Sequence, residues 1–341
     1  MSKLVIIGCG VMGAAYADAV AGTNLRWRAS IAGVCDTDPG AAGRLGGRVG
    51  APVFADVPTM LDAVRPDAAY IAVPDHLHAE PFLACVEHGV PVLVEKPLAT
   101  DPETAARMRA AAGAAGVYAE CNFTNRSNPV FTRVKEAVDR GDVGDVIGVN
   151  ARLSNAVRYP TSLLRWAAHT TSGWFLLSHV FDLASWLTGA TATEVTATGI
   201  RRVLRDRGVD TYDLIHALVR YDRELSGLYE SSWSLPDTLP SPVDFTFELL
   251  GSEGALYVDT SDQMIHLAGR DAYVHPAVND WTEARLTQFL DRVDGADRPA
   301  DPLGEAVDNT LLLVALHESI ETGGTVVVPA RPVAATEGTH R

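Results

Sequence analysis

The chain has 341 residues, with 28 basic against 43 acidic side chains and a formal net charge of −15. That length suits about two domains of 100–200 residues, each able to bury its own core, and a hydrophobic content of 47% with 21% charged residues excludes a disordered chain. The acidic balance leaves no basic surplus to displace counterions from a nucleic acid or to hold an anionic membrane surface.

No run of about 18 apolar residues occurs, so no bilayer-spanning helix is expected. Leu4-Val5-Ile6-Ile7 imitates the start of a signal peptide, but the run is shorter than the roughly 7–15 residues an apolar signal region needs. It reads as a buried first strand, and the expected location is the cytoplasm. The four cysteines, Cys9, Cys35, Cys85 and Cys121, are widely spaced and form no CxxC pair. They are expected to be reduced core thiols, with no disulfide framework and no metal site.

From the start to about residue 120, short apolar runs alternate with helical patterns. Strands are predicted at Leu4–Ile7, Ile31–Cys35, Ala68–Val73, Val90–Val94 and Val117–Cys121; their continuous apolar character fits strands covered on both faces. Helices are predicted at 11–21, 39–48, 57–64, 79–88 and 102–115. Asp56 and Asp101 stand as N-caps, with Pro58 and Pro102 in the first turn. This rhythm predicts a doubly wound, Rossmann-type parallel sheet.

After Cys121 the pattern changes to a helix at Pro129–Arg140, a turn at Gly141–Gly144, a strand near Val146–Leu153 and a helix over 173–188. Between about 192 and 268 come strands of period two, among them Asp213–Tyr221, Phe245–Leu250 and Ala255–Asp259. Helices at 281–293 and 304–321 and a strand at Thr325–Val328 close the chain. The expected second domain is α+β with a large, mostly antiparallel open-faced sheet. The expected division gives 1–122 to the first domain and 123–330 to the second. Helix 304–321 is expected to pack back on the first domain, and 331–341 to form a loose tail.

Gly8-Cys9-Gly10-Val11-Met12-Gly13 follows a strand and opens a helix. The first glycine makes the turn, the second admits a pyrophosphate to the backbone, and the third lets helix and strand approach; the helix N-terminus supplies N–H groups. Asp36, at the end of the second strand, is placed to accept from a ribose 2′-hydroxyl and to repel a 2′-phosphate, which favours NAD over NADP. Alternatively it is a turn residue. Further on, Glu95-Lys96-Pro97 closes the fourth predicted strand at the carboxyl edge, where such folds bind ligands. A lysine there donates to a substrate hydroxyl; the plainer alternative is a Glu95–Lys96 surface pair.

Together these motifs resemble the Gfo/Idh/MocA oxidoreductases, the glucose–fructose oxidoreductase and inositol dehydrogenase type. The likeness runs over nearly the whole chain: the glycine loop, Val73-Pro74-Asp75-His76-Leu77-His78, Glu95-Lys96-Pro97, Asn125-Arg126-Ser127-Asn128-Pro129, Gly141-Asp142-Val143-Gly144 and Ser178-His179-Val180-Phe181-Asp182-Leu183-Ala184-Ser185-Trp186-Leu187. The resemblance implies hydride transfer between NAD(P) and a hydroxyl carbon of a sugar or cyclitol, with Lys96 and His179 as the catalytic pair. It extends the expected cofactor contacts to Pro74, His78 and Glu95 beside Gly8, Gly10, Val11, Met12, Gly13, Asp36 and Lys96.

One departure stands out. Such proteins commonly carry an Asp four residues before the catalytic His, where this chain has Phe175. Asp182, at i+3 from His179, is the candidate to orient the imidazole in its place. His179 otherwise reads as a bonded core histidine. Arg158, Tyr159, Arg165, Trp166 and His169 form either one wall of a sugar pocket or a surface loop. Substrate contacts are expected from Lys96, Arg126, Trp166, His169, His179 and Asp182. The expected function is a sugar or polyol dehydrogenase or reductase that assembles as a homodimer or homotetramer. The alternatives are a glycosidase-like enzyme that recycles its NAD internally and a non-catalytic dinucleotide-binding regulator.

Overall fold

The computed structural model describes residues 1–239, 241, 243–259, 264–266 and 281–332. The chain divides into two compact units, the first comprising the described residues within Met1–Thr124, Asp280–Val307 and Ala330–Arg341, the second those within Asn125–Asn279 and Asp308–Pro329.

In the first unit, β1 (Ser2–Ile7), β2 (Ala29–Cys35), β3 (Val53–Phe54), β4 (Ala68–Ile71), β5 (Val92–Val94) and β6 (Ala119–Cys121) form a six-stranded sheet in the order β3-β2-β1-β4-β5-β6. Every pair is parallel. The helices between them are α1 (Val11–Gly22), α2 (Pro39–Val49), α3 (Val57–Val64), α4 (Ala79–Glu87) and α5 (Pro102–Ala115). Positions in β4, β5 and β6 are buried throughout, as their continuous apolar runs predict. The strand predicted from Val90 starts at Val92 because Pro91 has no N–H for the ladder. The two-residue β3 is too short to leave a hydrophobic signal. Asp56 and Asp101 do cap their helices, accepting from the Thr59 and Thr104 N–H groups at 2.9 and 2.8 Å.

The second unit contains α6 (Pro129–Asp139), β7 (Val146–Ala156), a π-helical turn Gly173–Leu177 that runs into α7 (Ser178–Thr188), β8 (Ala192–Ile200), α8 (Val203–Asp206), β9 (Leu214–Tyr221), β10 (Ser226–Leu235), β11 (Val243–Gly251), β12 (Ala255–Asp259), β13 (Met264–His266) and β14 (Val326–Val327). These strands form an eight-stranded sheet in the order β13-β12-β11-β7-β10-β9-β8-β14. β7 inserts between β10 and β11 and pairs parallel with β10, so the sheet is mixed; its other pairs are antiparallel. Phe131 of α6 packs on Phe245 and Phe247 of β11, and Phe181 of α7 meets Tyr229 edge-on. In β9, buried and exposed residues alternate, so one face of the sheet lies on the core and the other faces solvent.

The last two helices depart from expectation. It is α9 (Trp281–Val293) that packs in the first unit, burying Leu286, Phe289 and Leu290 with Tyr16 and Tyr118. Of α10 (Gly304–Thr322), only Gly304–Val307 count with the first unit. Its apolar stripe, Leu312, Leu313, Ala315 and Leu316, belongs to the core of the second. Of the expected tail, Arg331 pairs with Asp301 at 2.8 Å and Pro332 accepts from Arg109 at 3.0 Å; 333–341 lie outside the described residues. No described helix is long and apolar enough to cross a membrane.

In β6, Glu120 is bracketed by Arg285 at 2.5 Å and Arg292 at 2.9 Å, and it also accepts from the Tyr118 hydroxyl. Burial pushes the Glu120 carboxyl up, but Arg285, Tyr118 and Arg292 outweigh it and hold the group below its ordinary value. A carboxyl lowered in the folded state adds stability above its unfolded pKa, and that stability fades as acidification passes the folded value. Glu120→Ala is expected to cost about 3–5 kcal/mol at neutral pH by stranding a buried arginine. Urea titration of variant and parent checks this, with the difference narrowing at acid pH.

Candidate active site

β1 ends at Ile7, and Gly8 turns the chain with a φ of +94°. A Cβ on Gly8 would lie 2.4 Å from the Ala72 carbonyl oxygen, and one on Gly13 would lie 1.9 Å from the Gly8 carbonyl oxygen. Only glycine fits either position. At Gly10 a Cβ would meet nothing within 4 Å, so this glycine faces open space. Gly10 is the N-cap of α1 and makes no side-chain cap bond, while Val11 and Met12 are exposed. A helix start without a side-chain cap, bordered by open space, is a cradle for phosphate. The loop sits at β1, next to β4, where the strand order changes direction.

Asp36, one residue past β2, holds this loop. Its Oδ2 accepts from the Cys9 N–H at 2.6 Å and its Oδ1 from the Asp38 N–H at 2.8 Å. The two readings of this residue are therefore compatible: it builds a turn, yet a carboxylate offers about four lone-pair sites and keeps capacity for a ribose hydroxyl. The nearby Cys9 thiol is pushed up to about 12 by burial and by Asp36, which keeps it unreactive.

At the carboxyl end of β5, Glu95 is only 7% exposed, so it forms no surface pair with Lys96. Glu95 Oε1 accepts from the Tyr70 hydroxyl at 2.5 Å and from Asn122 Nδ2 at 2.6 Å; Oε2 accepts from the Lys96 backbone N–H at 3.3 Å. Asn122 Nδ2 also donates to the Tyr16 hydroxyl at 2.7 Å, and Tyr16 stacks on Tyr70 with ring centroids 3.9 Å apart. Burial lowers the Lys96 ammonium below its usual value, against the pull of Glu95 and Asp75. The Lys96–Pro97 peptide is cis. His78 lies within the protein: Nδ1 is 2.8 Å from the Pro97 carbonyl and Nε2 is 3.1 Å from that of Val73. Its ring thus bridges the two loops that follow β4 and β5, with Pro74 in the first of them.

In the second unit, His179 is partly buried in the first turn of α7. Asp182, one turn on, is buried and pairs with Arg126, whose Nε donates to it at 3.0 Å and whose Nη2 donates to the other oxygen. Arg126 also lies 6.0 Å from the Trp186 ring centre. Phe175 sits within an aromatic cluster, 6.2 Å from Trp166 and 5.6 Å from Trp233 between ring centroids. His169 and Arg165 are exposed, and Arg158 and Tyr159 are partly buried.

Two sequence models of one family match the chain. "Oxidoreductase family, NAD-binding Rossmann fold" matches residues 2–123, and "GFO/IDH/MocA C-terminal domain" matches residues 131–257. The chain belongs to the GFO/IDH/MocA oxidoreductase family. Inositol 2-dehydrogenase 2 of Saccharopolyspora erythraea is 36% identical over 199 residues, which is 58% of this chain and 57% of that protein. The chain thus aligns with little more than half the length of that relative. Myo-inositol dehydrogenase Hyg17 of Streptomyces leeuwenhoekii is 27% identical over 339 residues, covering 95% of this chain and 99% of that one. The crystal structure of scyllo-inositol dehydrogenase from Lactobacillus casei with bound NAD(H) and scyllo-inositol superimposes with a TM-score of 0.81 at 19% identity, covering 97% of this chain and 100% of that one. At that identity the likeness speaks for the fold.

As a GFO/IDH/MocA protein the chain takes NAD on its first unit, and the open cradle at Gly10 fits the group. The frame behind Lys96 escapes a sequence reading: Tyr16, Tyr70 and Asn122 belong to separate elements. Their one signal is a polar atom in an otherwise apolar buried run, as with Tyr70 in β4. Gly10→Ala is expected to keep the parental melting temperature while weakening NAD by tenfold or more, about 1.4 kcal/mol. Gly13→Ala is expected to lower the melting temperature as well. Calorimetric titration and thermal denaturation of both variants check the contrast.

Proposed function

We propose that the protein is an NAD-dependent dehydrogenase that oxidises a secondary hydroxyl of a cyclitol or related sugar derivative, or reduces the matching ketone. The observation that carries this reading is a partly buried lysine at the same carboxyl edge as the dinucleotide cradle, its backbone N–H bonded to a fixed carboxylate. The naming of relatives as inositol dehydrogenases supports the substrate class.

The N–H groups at the start of α1 and the loop Gly8, Gly10, Val11, Met12 and Gly13 hold the pyrophosphate, and Asp36 accepts from the adenosine ribose. Bound NAD supplies the hydride acceptor. Lys96 donates to the reacting oxygen and stabilises the negative charge that builds there. His179 takes the hydroxyl proton, an imidazole being the side chain whose ordinary pKa lies closest to neutrality. Arg126 and Asp182 form a rigid ion pair one turn from that imidazole, and Trp166 offers an aromatic face to the C–H side of a ring; His169 completes the substrate contacts.

The solvent face of the larger sheet supports self-association. A single transverse row crosses six strands in register, through Tyr257, Glu248, Asn150, Leu228, Leu218 and Thr196. Leu228 and Leu218 at its centre are 55% and 48% exposed. On the same sheet the Arg152–Asp244 ion pair and the His216–Glu230 hydrogen bond add polar groups that suit a second copy related by a two-fold axis. Together they support a homodimer or homotetramer. The double variant Leu218→Asp/Leu228→Asp is expected to sediment as a monomer in analytical ultracentrifugation.

A screen of NAD and NADP reduction over cyclitols, aldoses, uronates and keto-sugars tests the activity. Net NADH release with at least one polyol is expected. Lys96→Ala and His179→Ala are each expected to lower kcat by about 10²–10⁴-fold. Full kcat in both would remove the assignment. Tightly retained NAD with sugar turnover but no net NADH would mark an internally recycling glycosidase, and NAD binding with no turnover would mark a regulator.

A further inference from the structure

Two buried carboxylates lie on neighbouring strands of the first unit, and they are treated differently. Glu120, in β6, has its charge matched by two guanidinium groups. Glu95, at the end of the neighbouring β5, is held by the Tyr70 hydroxyl, the Asn122 amide and the Lys96 backbone N–H. These donors are neutral. They fix a carboxylate in position without cancelling its charge, so its field remains to act on a nearby cation.

The cation next to it in the chain is Lys96, whose own backbone N–H binds the carboxylate at 3.3 Å and so holds it at the root of that side chain. Among the described residues, Asp75, in the turn after β4, and Cys121, at the end of β6, also act on the amine. His78, from the same turn as Asp75, faces Glu95 and Asp75; burial keeps its ring towards the neutral form. Tyr70 is pushed well above its usual value by burial and by Glu95, so it stays a neutral donor.

We propose that Glu95 is a positioning residue whose uncancelled charge keeps the Lys96 amine a donating cation at the reacting oxygen. Tyr70 and Asn122 fix the carboxylate, and Tyr16 ties that frame to α1, the helix that opens the dinucleotide loop. The role at the reacting oxygen rests on the dehydrogenase chemistry proposed above; the charge relation between Glu95 and Lys96 does not.

The chain has three lysines, Lys3, Lys96 and Lys135, so the amine is readable directly. Nuclear magnetic resonance of the full NAD-loaded protein carrying isotope-labelled lysine follows each side chain through a pH titration. In Glu95→Gln, Lys96 is expected to titrate about 1–3 pH units lower than in the parent, the size of effect an adjacent opposite charge produces, with Lys3 and Lys135 unmoved. Glu95→Asp keeps the charge one methylene further back, so the expected fall is smaller, and it serves if the Gln variant does not fold. In Tyr70→Phe the charge stays and Lys96 is expected at the parental value or higher. Unchanged Lys96 titration in both Glu95 variants overturns the proposal, as does an equal fall in Tyr70→Phe, which would mark general loosening of the site. With a turned-over polyol in hand, the alkaline limb of kcat/KM is expected to move down with the amine in Glu95→Gln. If no polyol is oxidised, the dehydrogenase reading fails while the amine titration still decides the charge relation.

Discussion

The contact between Gly13 and the Gly8 carbonyl oxygen sets the geometry on which the dinucleotide side of the molecule rests. A side-chain carbon at either glycine would force α1 away from the end of β1. With both absent, α1 starts close to the sheet edge with its first turn turned outward. Three residues further along the same helix, Tyr16 stacks on Tyr70 and accepts from Asn122, which in turn donates to Glu95. The helix that follows the glycine loop and the carboxylate next to Lys96 are therefore tied together through one buried polar frame.

That frame is unusual in what it leaves undone. A buried charge is normally matched by an opposite one, since an isolated ion in a low-dielectric interior is costly. Glu120 follows the rule, and its arginines fasten α9 against β6. Glu95 is placed by dipoles instead, beside an amine that burial alone would drive towards the neutral form. The first arrangement serves the stability of the fold; the second leaves the field of a fixed carboxylate beside a lysine.

Much of this is legible in the sequence, for reasons of distance along the chain. The glycine loop, Asp36 and the capping aspartates are short-range signals, and buried parallel strands announce themselves as unbroken apolar runs. The frame around Glu95 joins residues up to 106 positions apart, and nothing local marks Tyr16 or Asn122 as partners. The same limit applies to α10: its apolar stripe is plain in the sequence, while the core that receives it is not. At Phe175 the chain shows a departure from the family pattern, but only the fold reveals the Trp166 and Trp233 rings that surround it. The π-helical turn that carries Phe175 shares its hydrophobic pattern with an ordinary helix.

Asp36 has a double attachment whose consequence concerns redesign. Changing coenzyme preference towards a 2′-phosphorylated nucleotide ordinarily begins by neutralising the acid after the second strand. In this molecule that carboxylate also pins the Cys9 and Asp38 amides. A substitution chosen to admit an extra phosphate would therefore also slacken the glycine-loop turn, and a successful switch has to rebuild both amide contacts along with the new anion pocket.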